Sequence, residues 1–325
     1  MSTADSDTPD HGRHPRLPGV KVLPWPVRRR LHRWVLKVLS HDSPAPDYDN
    51  PKGDPGLFGP DTVTWKIHAD FPSMMAGGLG ALMFQTLHPH ALAGVWDHSD
   101  FRDDTLARLR GTTAFVARTT YAPREPAEQA ISRVRSIHRE VHGTAPDGQP
   151  YSAEDPHLLN WVHCTQAWCY LKGYQTYCHR DIPRSLQDRY LEESARVSEA
   201  LGARDVPRSV KELEVFFDAV RPELEFNART REVLGVLNAI TLPIPLAGLG
   251  RNIFLGAGAA LLPDWALSLM GRSSFARMRD RAAARSLKLV APSIRDAMAE
   301  GGLAWRACAR TGVRYEDLFR WSGHP

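Results

Sequence analysis

Apolar and polar positions alternate along this chain with a helical period almost throughout, and strand-like alternation of period two is nearly absent. After Pro60 the pattern predicts helices over Asp70–Thr86, His90–Val95, Asp104–Thr119, Glu125–Val141, Asp155–His179, Arg184–Leu201, Ser209–Arg221, Arg229–Leu242, Trp265–Met270, Phe275–Asp296 and Ala299–Thr311. Local chemistry marks several boundaries. Asp155-Pro156 offers an N-cap followed by proline at the first helical position. Ser209 with Glu212 has the spacing of a capping box. His142-Gly143 and Leu201-Gly202 supply glycine stops. Pro292 should kink or split the Phe275–Asp296 segment, because it removes a backbone donor and clashes with the preceding turn. Residues 1–60 are dense in Pro, Gly, Asp and His and read as a flexible tail and extended arm, with one short helix around Arg28–Leu39. No internal repeat is visible. The expected fold is all-α: a single, mostly helical domain over residues 61–325.

The most apolar stretch, Val233–Met270, is interrupted by Pro243, Pro245, Arg251, Asn252, Pro263 and Asp264. A spanning helix needs about 20 apolar residues in succession, so two readings stay open: a buried helical hairpin, or a surface that leans on lipid or admits an apolar substrate. Met1–Arg16 lacks the charged-then-apolar order of an export signal. The expectation is a cytoplasmic protein, with peripheral membrane contact left open.

Composition changes this picture little. The chain has 325 residues, 42% of them hydrophobic, and a net charge of +4 from 41 basic and 37 well-mixed acidic residues, which gives no basic surface for nucleic acid. Cys164, Cys169, Cys178 and Cys308 form no C-x-x-C pair and no zinc spacing, so free buried thiols are expected.

Candidate chemistry sits on helix faces. In Glu125–Val141, residues Ile131, Val134, His138 and Val141 make one stripe, placing a histidine within an apolar face with Arg135 one turn before it. In Asp104–Thr119, Arg108 and Thr112 share a face; Arg108 could meet an acid and Thr112 a cavity, or the threonine could bond its own backbone. In Leu158–Thr165, His163 shares a face with Leu159, Val162 and Gln166. His138 and His163 are either two ligands bracketing one metal or haem, or two separately hydrogen-bonded core groups. A further group, His88-Pro89-His90 followed by His98 and Asp100, matches no known metal spacing. A non-haem metal centre drawing on His88, His98, Asp100, His138 or His163 stays open, as does a helical carrier without catalysis. No G-x-S-x-G elbow or Walker loop occurs, and Gly248-Leu249-Gly250 does not follow a strand.

The ordered series Gly77-Gly78-Leu79, Gln85-Thr86-Leu87-His88-Pro89, His98-Ser99-Asp100-Phe101, Arg108-Leu109-Arg110-Gly111-Thr112, Val134-Arg135-Ser136-Ile137-His138, Gly143-Thr144 and Leu159-Asn160-Trp161-Val162-His163 resembles the DUF2236 family, in its bacterial MpaB-like branch, from about Asp61 to Leu269. That family contains MpaB-type oxygenases and latex-clearing rubber oxygenases. The resemblance implies an all-helical fold with a haem b pocket between helices in globin-like packing. It implies His138 as proximal iron ligand, matching an R-x-x-H helix with Arg135, and Arg108 and Thr112 as pocket residues needed for activity. Arg108 and Arg135 are expected against the haem propionates, and His163 at the pocket. O2 is the expected co-substrate and an apolar, unsaturated small molecule the expected substrate. Two departures stand out. Gly111 occupies the position where rubber oxygenases carry a lysine, and their catalytic glutamate has no assured counterpart, Asp100 being a guess.

Overall fold

The computed structural model describes residues 23–39, 46–243, 245 and 247–321. Of the tail and extended arm expected over residues 1–60, residues 1–22 and 40–45 lie outside the described residues. Fourteen α-helices and one two-stranded antiparallel sheet occur among them, so the protein is mainly α-helical.

The centre is a crossing of glycine-lined helices. Helix α3 (Phe71–Gln85) packs along α7 (Pro156–Tyr177), and α11 (Ala247–Ala259) lies across α3. A Cβ on Gly80 would sit 2.7 Å from the Gly258 carbonyl oxygen, and one on Gly173 2.8 Å from that of Ser73. These backbones touch because no side chain separates them. Within the interrupted stretch Val233–Met270, the C-terminal part of α11 is core, with Leu255 to Ala259 all buried, while Leu249 in its first turn is exposed. Around the crossing, Phe84, Trp161, Phe217 and Trp265 interlock as tilted and edge-on rings.

One buried ion pair fixes the frame. Asp70 caps α3 by accepting from the Ser73 amide at 3.2 Å and pairs with Arg295 on α13 (Ser274–Met298). Arg295 also donates to the Tyr177 carbonyl at the end of α7, at 3.1 Å. Three helix segments are thereby tied at one point.

Most expected boundaries hold. The Asp155 side chain accepts from the His157 amide with Pro156 at the first helical position. Gly202 ends α8 (Arg184–Leu201) in the left-handed conformation. Ser209 caps α9 (Val210–Val220), and Glu212 returns to the Arg208 amide, one residue before the expected partner. Three expectations differ. α13 is not split at Pro292. α6 (Arg124–Glu140) does not end on a left-handed glycine; the chain passes Val141 into strand β1 (His142–Thr144), paired with β2 (Pro150–Ser152). Gly143 serves that pairing, since a Cβ there would lie 2.7 Å from the Tyr151 hydroxyl. Finally, the short helix α2 (Val63–His68), capped by Thr62, was not predicted; six residues are too few to show a period.

The described part of the N-terminal segment packs against the body. Helix α1 (Trp25–Leu39) lies on α13, where the Leu23 amide donates to Asp296 at 2.9 Å and His32 meets the Ala297 carbonyl at 2.8 Å. Tyr48 is buried beside α14 (Leu303–Thr311), whose Arg306 holds Asp49 through paired bonds. No helix among the described residues is long and apolar enough to cross a membrane. All four cysteines are free, three of them buried.

Candidate functional site

A cavity of about 700 Å³ opens between α5 (Thr105–Tyr121), α6, α7, α8 and α10 (Ala228–Ala239), with α2 and α4 (Pro89–His98) also lining it. Its size lies within the ~300–1,000 Å³ span of small-molecule and cofactor sites. Its walls are mostly apolar, with Leu82, Val95, Val134, Val162, Val236 and Leu237 among them. Val233, Val236 and Leu237 are the contribution of the Val233–Met270 stretch; α11 belongs to the core instead.

The structure brings His138, His163, Arg108, Thr112 and Gly111 to this one cavity. His138 stands in the last turn of α6, which closes by a bond from the Val141 amide to the His138 carbonyl. Its Nδ1 is buried and has no hydrogen-bond partner, and the same holds for Nε2 of His163. Burial lowers the pKa of His138, with a small opposing influence from Glu154, and pushes His163 down to about 4. Both rings are therefore neutral near pH 7, the state in which imidazole binds a metal. Buried polar atoms nearly always find partners, so two unpartnered ring nitrogens in one cavity point to a ligand that completes them.

Arg108 lines the cavity, and desolvation lowers its pKa. No Asp or Glu lines the cavity, whereas Arg108, Arg118 and Arg133 do. Thr112 donates to the Arg108 carbonyl at 3.2 Å, which leaves the lone pairs of its oxygen free. A Cβ on Gly111 would meet nothing within 4 Å, so this position opens the cavity.

Arg135 is not brought to the cavity. The lining stripe of α6 runs through Ala130, Val134, Ile137, His138 and Val141, and Arg135 faces a separate shallow surface groove beside Ile131, Ser132 and Arg139. A step of 100° from Val134 carries it off the face. Asp100 does not line the cavity either. The five candidates for a non-haem centre do not converge. His98 meets the carbonyl of His142 at 3.1 Å, and only His88 joins a group of three potential metal ligands among the described residues, with His157 and Glu223.

Four polar cavity residues, His68, Thr120, Tyr170 and Tyr190, were not legible in the sequence. His68, at the end of α2, contacts Thr120 at 2.9 Å and the Tyr190 hydroxyl at 3.1 Å, and burial pushes its pKa down to about 3. Tyr170 stands edge-on to it, its ring centre 5.2 Å away, and accepts from Gln166 at 3.1 Å. His68 closes a helix of six residues, too short to show a helical period in the sequence.

Among the described residues, a mainly helical body thus encloses a large, mostly apolar cavity whose wall carries two imidazoles, each with an unpartnered ring nitrogen. The family model described as "ER-bound oxygenase mpaB/B'/Rubber oxygenase, catalytic domain" matches residues 65–295, and the chain belongs to this family. No curated protein and no solved structure matches it.

Proposed function

We propose that this protein is a haem b-dependent oxygenase that uses O2 to oxidise or cleave a carbon–carbon double bond in an apolar organic substrate. The observation that carries the reading is the pair of buried, unpartnered ring nitrogens of His138 and His163 in a cavity lined by arginines and no carboxylate. A haem is an apolar plate with two acidic propionates, and these residues fit it. His138 would hold the iron. Arg108 would pair with a propionate, since it is a desolvated cation facing the cavity without an acid there. Arg135 takes no part in this arrangement. Haem when bound supplies redox-active iron for chemistry with dioxygen.

The remaining roles belong to the chain itself. The aliphatic walls exclude water and hold an apolar substrate by burial. His163, neutral and buried, holds or accepts a proton at Nε2. The Thr112 oxygen offers an acceptor on the same helix as Arg108. His68, Thr120 and Tyr190 form a connected polar wall along which a proton can be held. Gly111 leaves room where rubber oxygenases place a lysine side chain.

Oxygen uptake tests the reading. Protein expressed with ample haem precursor should consume O2 when given unsaturated apolar compounds such as terpenoids or unsaturated fatty acids, and His163→Gln should slow consumption while retaining haem. Haem retention with no uptake on any substrate would favour the carrier reading, for which the open position at Gly111 speaks.

A further inference from the structure

We infer that His88, His157 and Glu223 form a second metal site, outside the cavity, for a divalent ion of the zinc type. The inference does not rest on the haem reading. The three residues come from separate segments: His88 precedes α4, His157 is in the first turn of α7, and Glu223 ends the short 3₁₀ turn after α9 (Arg221–Glu223). Both imidazoles aim the same atom at the same carboxylate oxygen. His88 Nε2 lies 3.3 Å, and His157 Nε2 2.9 Å, from Glu223 Oε2, and the three ligand atoms all fall within 4.8 Å of one another. A tetrahedral ion bound at ~2.0–2.1 Å needs donors about 3.3 Å apart. The separations to Glu223 are already close to that edge, so small side-chain adjustments suffice.

The donor set selects the ion. Two imidazoles and one carboxylate suit zinc and its neighbours Co²⁺, Ni²⁺ and Cu²⁺ rather than Ca²⁺ or Mg²⁺, which prefer oxygen cages. His88 is 2% exposed, whereas His157 and Glu223 are about half-exposed, at 43% and 45% of their side chains. The ion would thus have one buried anchor and one face open to water. His88 has no other hydrogen-bond partner: its Nδ1 is buried and unbonded. Beside ring contacts with His90, His157 and Trp161, the half-exposed Glu223 carboxylate is its one polar constraint, and an ion would add a second.

The location gives the site a purpose. From His88 the chain enters α4, which sends His90 and Val95 to the cavity wall; from His157 it runs into Leu158, Val162 and His163 on the same wall. A backbone bond from the Glu225 amide to the Leu87 carbonyl at 2.9 Å already joins two of the three segments. A bound ion would lock α4 to α7 and set the spacing of these two lining helices without entering the cavity.

The test uses tag-free, full-length protein stripped with chelator and titrated calorimetrically with ZnCl2, then with CoCl2 monitored by visible absorption. The expected result is one equivalent bound, with Co²⁺ absorption of low-coordinate type. Affinity should fall more than about tenfold, the loss caused even by removing an outer partner of a ligand, in both His157→Gln and Glu223→Gln, and be unchanged in His138→Ala. The two exposed substitutions leave the core intact, which circular dichroism checks. No binding, or binding that survives either substitution, overturns the inference. Haem content, read separately by absorption, is expected to be the same in the wild type, His157→Gln and Glu223→Gln, so failure here leaves the oxygenase reading standing.

Discussion

The two sides of α7 use buried polar groups in opposite ways. Toward α3, α11 and α13, every charge is answered: Asp70 meets Arg295, which also reaches the Tyr177 carbonyl, and glycines bring backbones into contact. Toward α5 and α6, Arg108 faces no acid and the rings of His138 and His163 keep open nitrogens. A chain that satisfies buried groups on one side of a helix and leaves them open on the other has room for a ligand on the open side. On the one side the buried charges are paired, and on the other an arginine and two imidazoles face a cavity without such partners.

The largest effect that sharpens this contrast should come from the frame. Asp70→Asn leaves Arg295 as an unpaired buried cation and should cost about 3–5 kcal/mol in urea unfolding. A loss under 1 kcal/mol would mean that the frame is less dependent on the pair than its burial indicates. Next is acid sensitivity of the cavity side in haem-free protein. The unfolded chain protonates histidine near 6.5, whereas folded His163 resists until about 4. Stability is therefore full above pH 6.5 and falls as pH drops toward 4, by on the order of 3 kcal/mol for this ring. His163→Gln should flatten the profile in that window; an unchanged profile would show that the ring is not desolvated. Gly80→Ala then drives a methyl into the Gly258 carbonyl and should cost about 1–3 kcal/mol, read as a lowered melting temperature. The smallest effect is on the open side. Arg108→Met should change stability by less than about 0.5 kcal/mol, as for a residue without a partner, yet weaken haem retention. A large loss of stability there would break the comparison, because it would reveal a partner for Arg108 within the protein.

Much of the frame was legible in the sequence because helical period and end chemistry are local. Asp155-Pro156, Ser209 and Gly202 act within a few residues of where they stand. What could not be read is what lies opposite each face. The stripe Ile131–Val134–His138–Val141 identified a buried side of α6, but only the structure turns Ala130 and Ile137 to the cavity and Ile131 with Arg135 to a surface groove. The resemblance named His138, Arg108, Thr112 and His163, and all four line one cavity; Arg135, named with them, does not. His68 and Tyr190 were invisible because their meeting joins helices more than a hundred residues apart. The three-residue group of His88, His157 and Glu223 has the same origin: no spacing along the chain encodes it.

The central claim is that the open imidazole of His138 holds a haem iron. The most direct measurement is the absorption spectrum of protein purified after expression with haem precursor, beside that of His138→Ala. The account predicts a Soret band in the first that is lost or shifted in the second, with both proteins folded by circular dichroism. A folded wild-type protein with no Soret band, or a band that His138→Ala leaves unchanged, would contradict it.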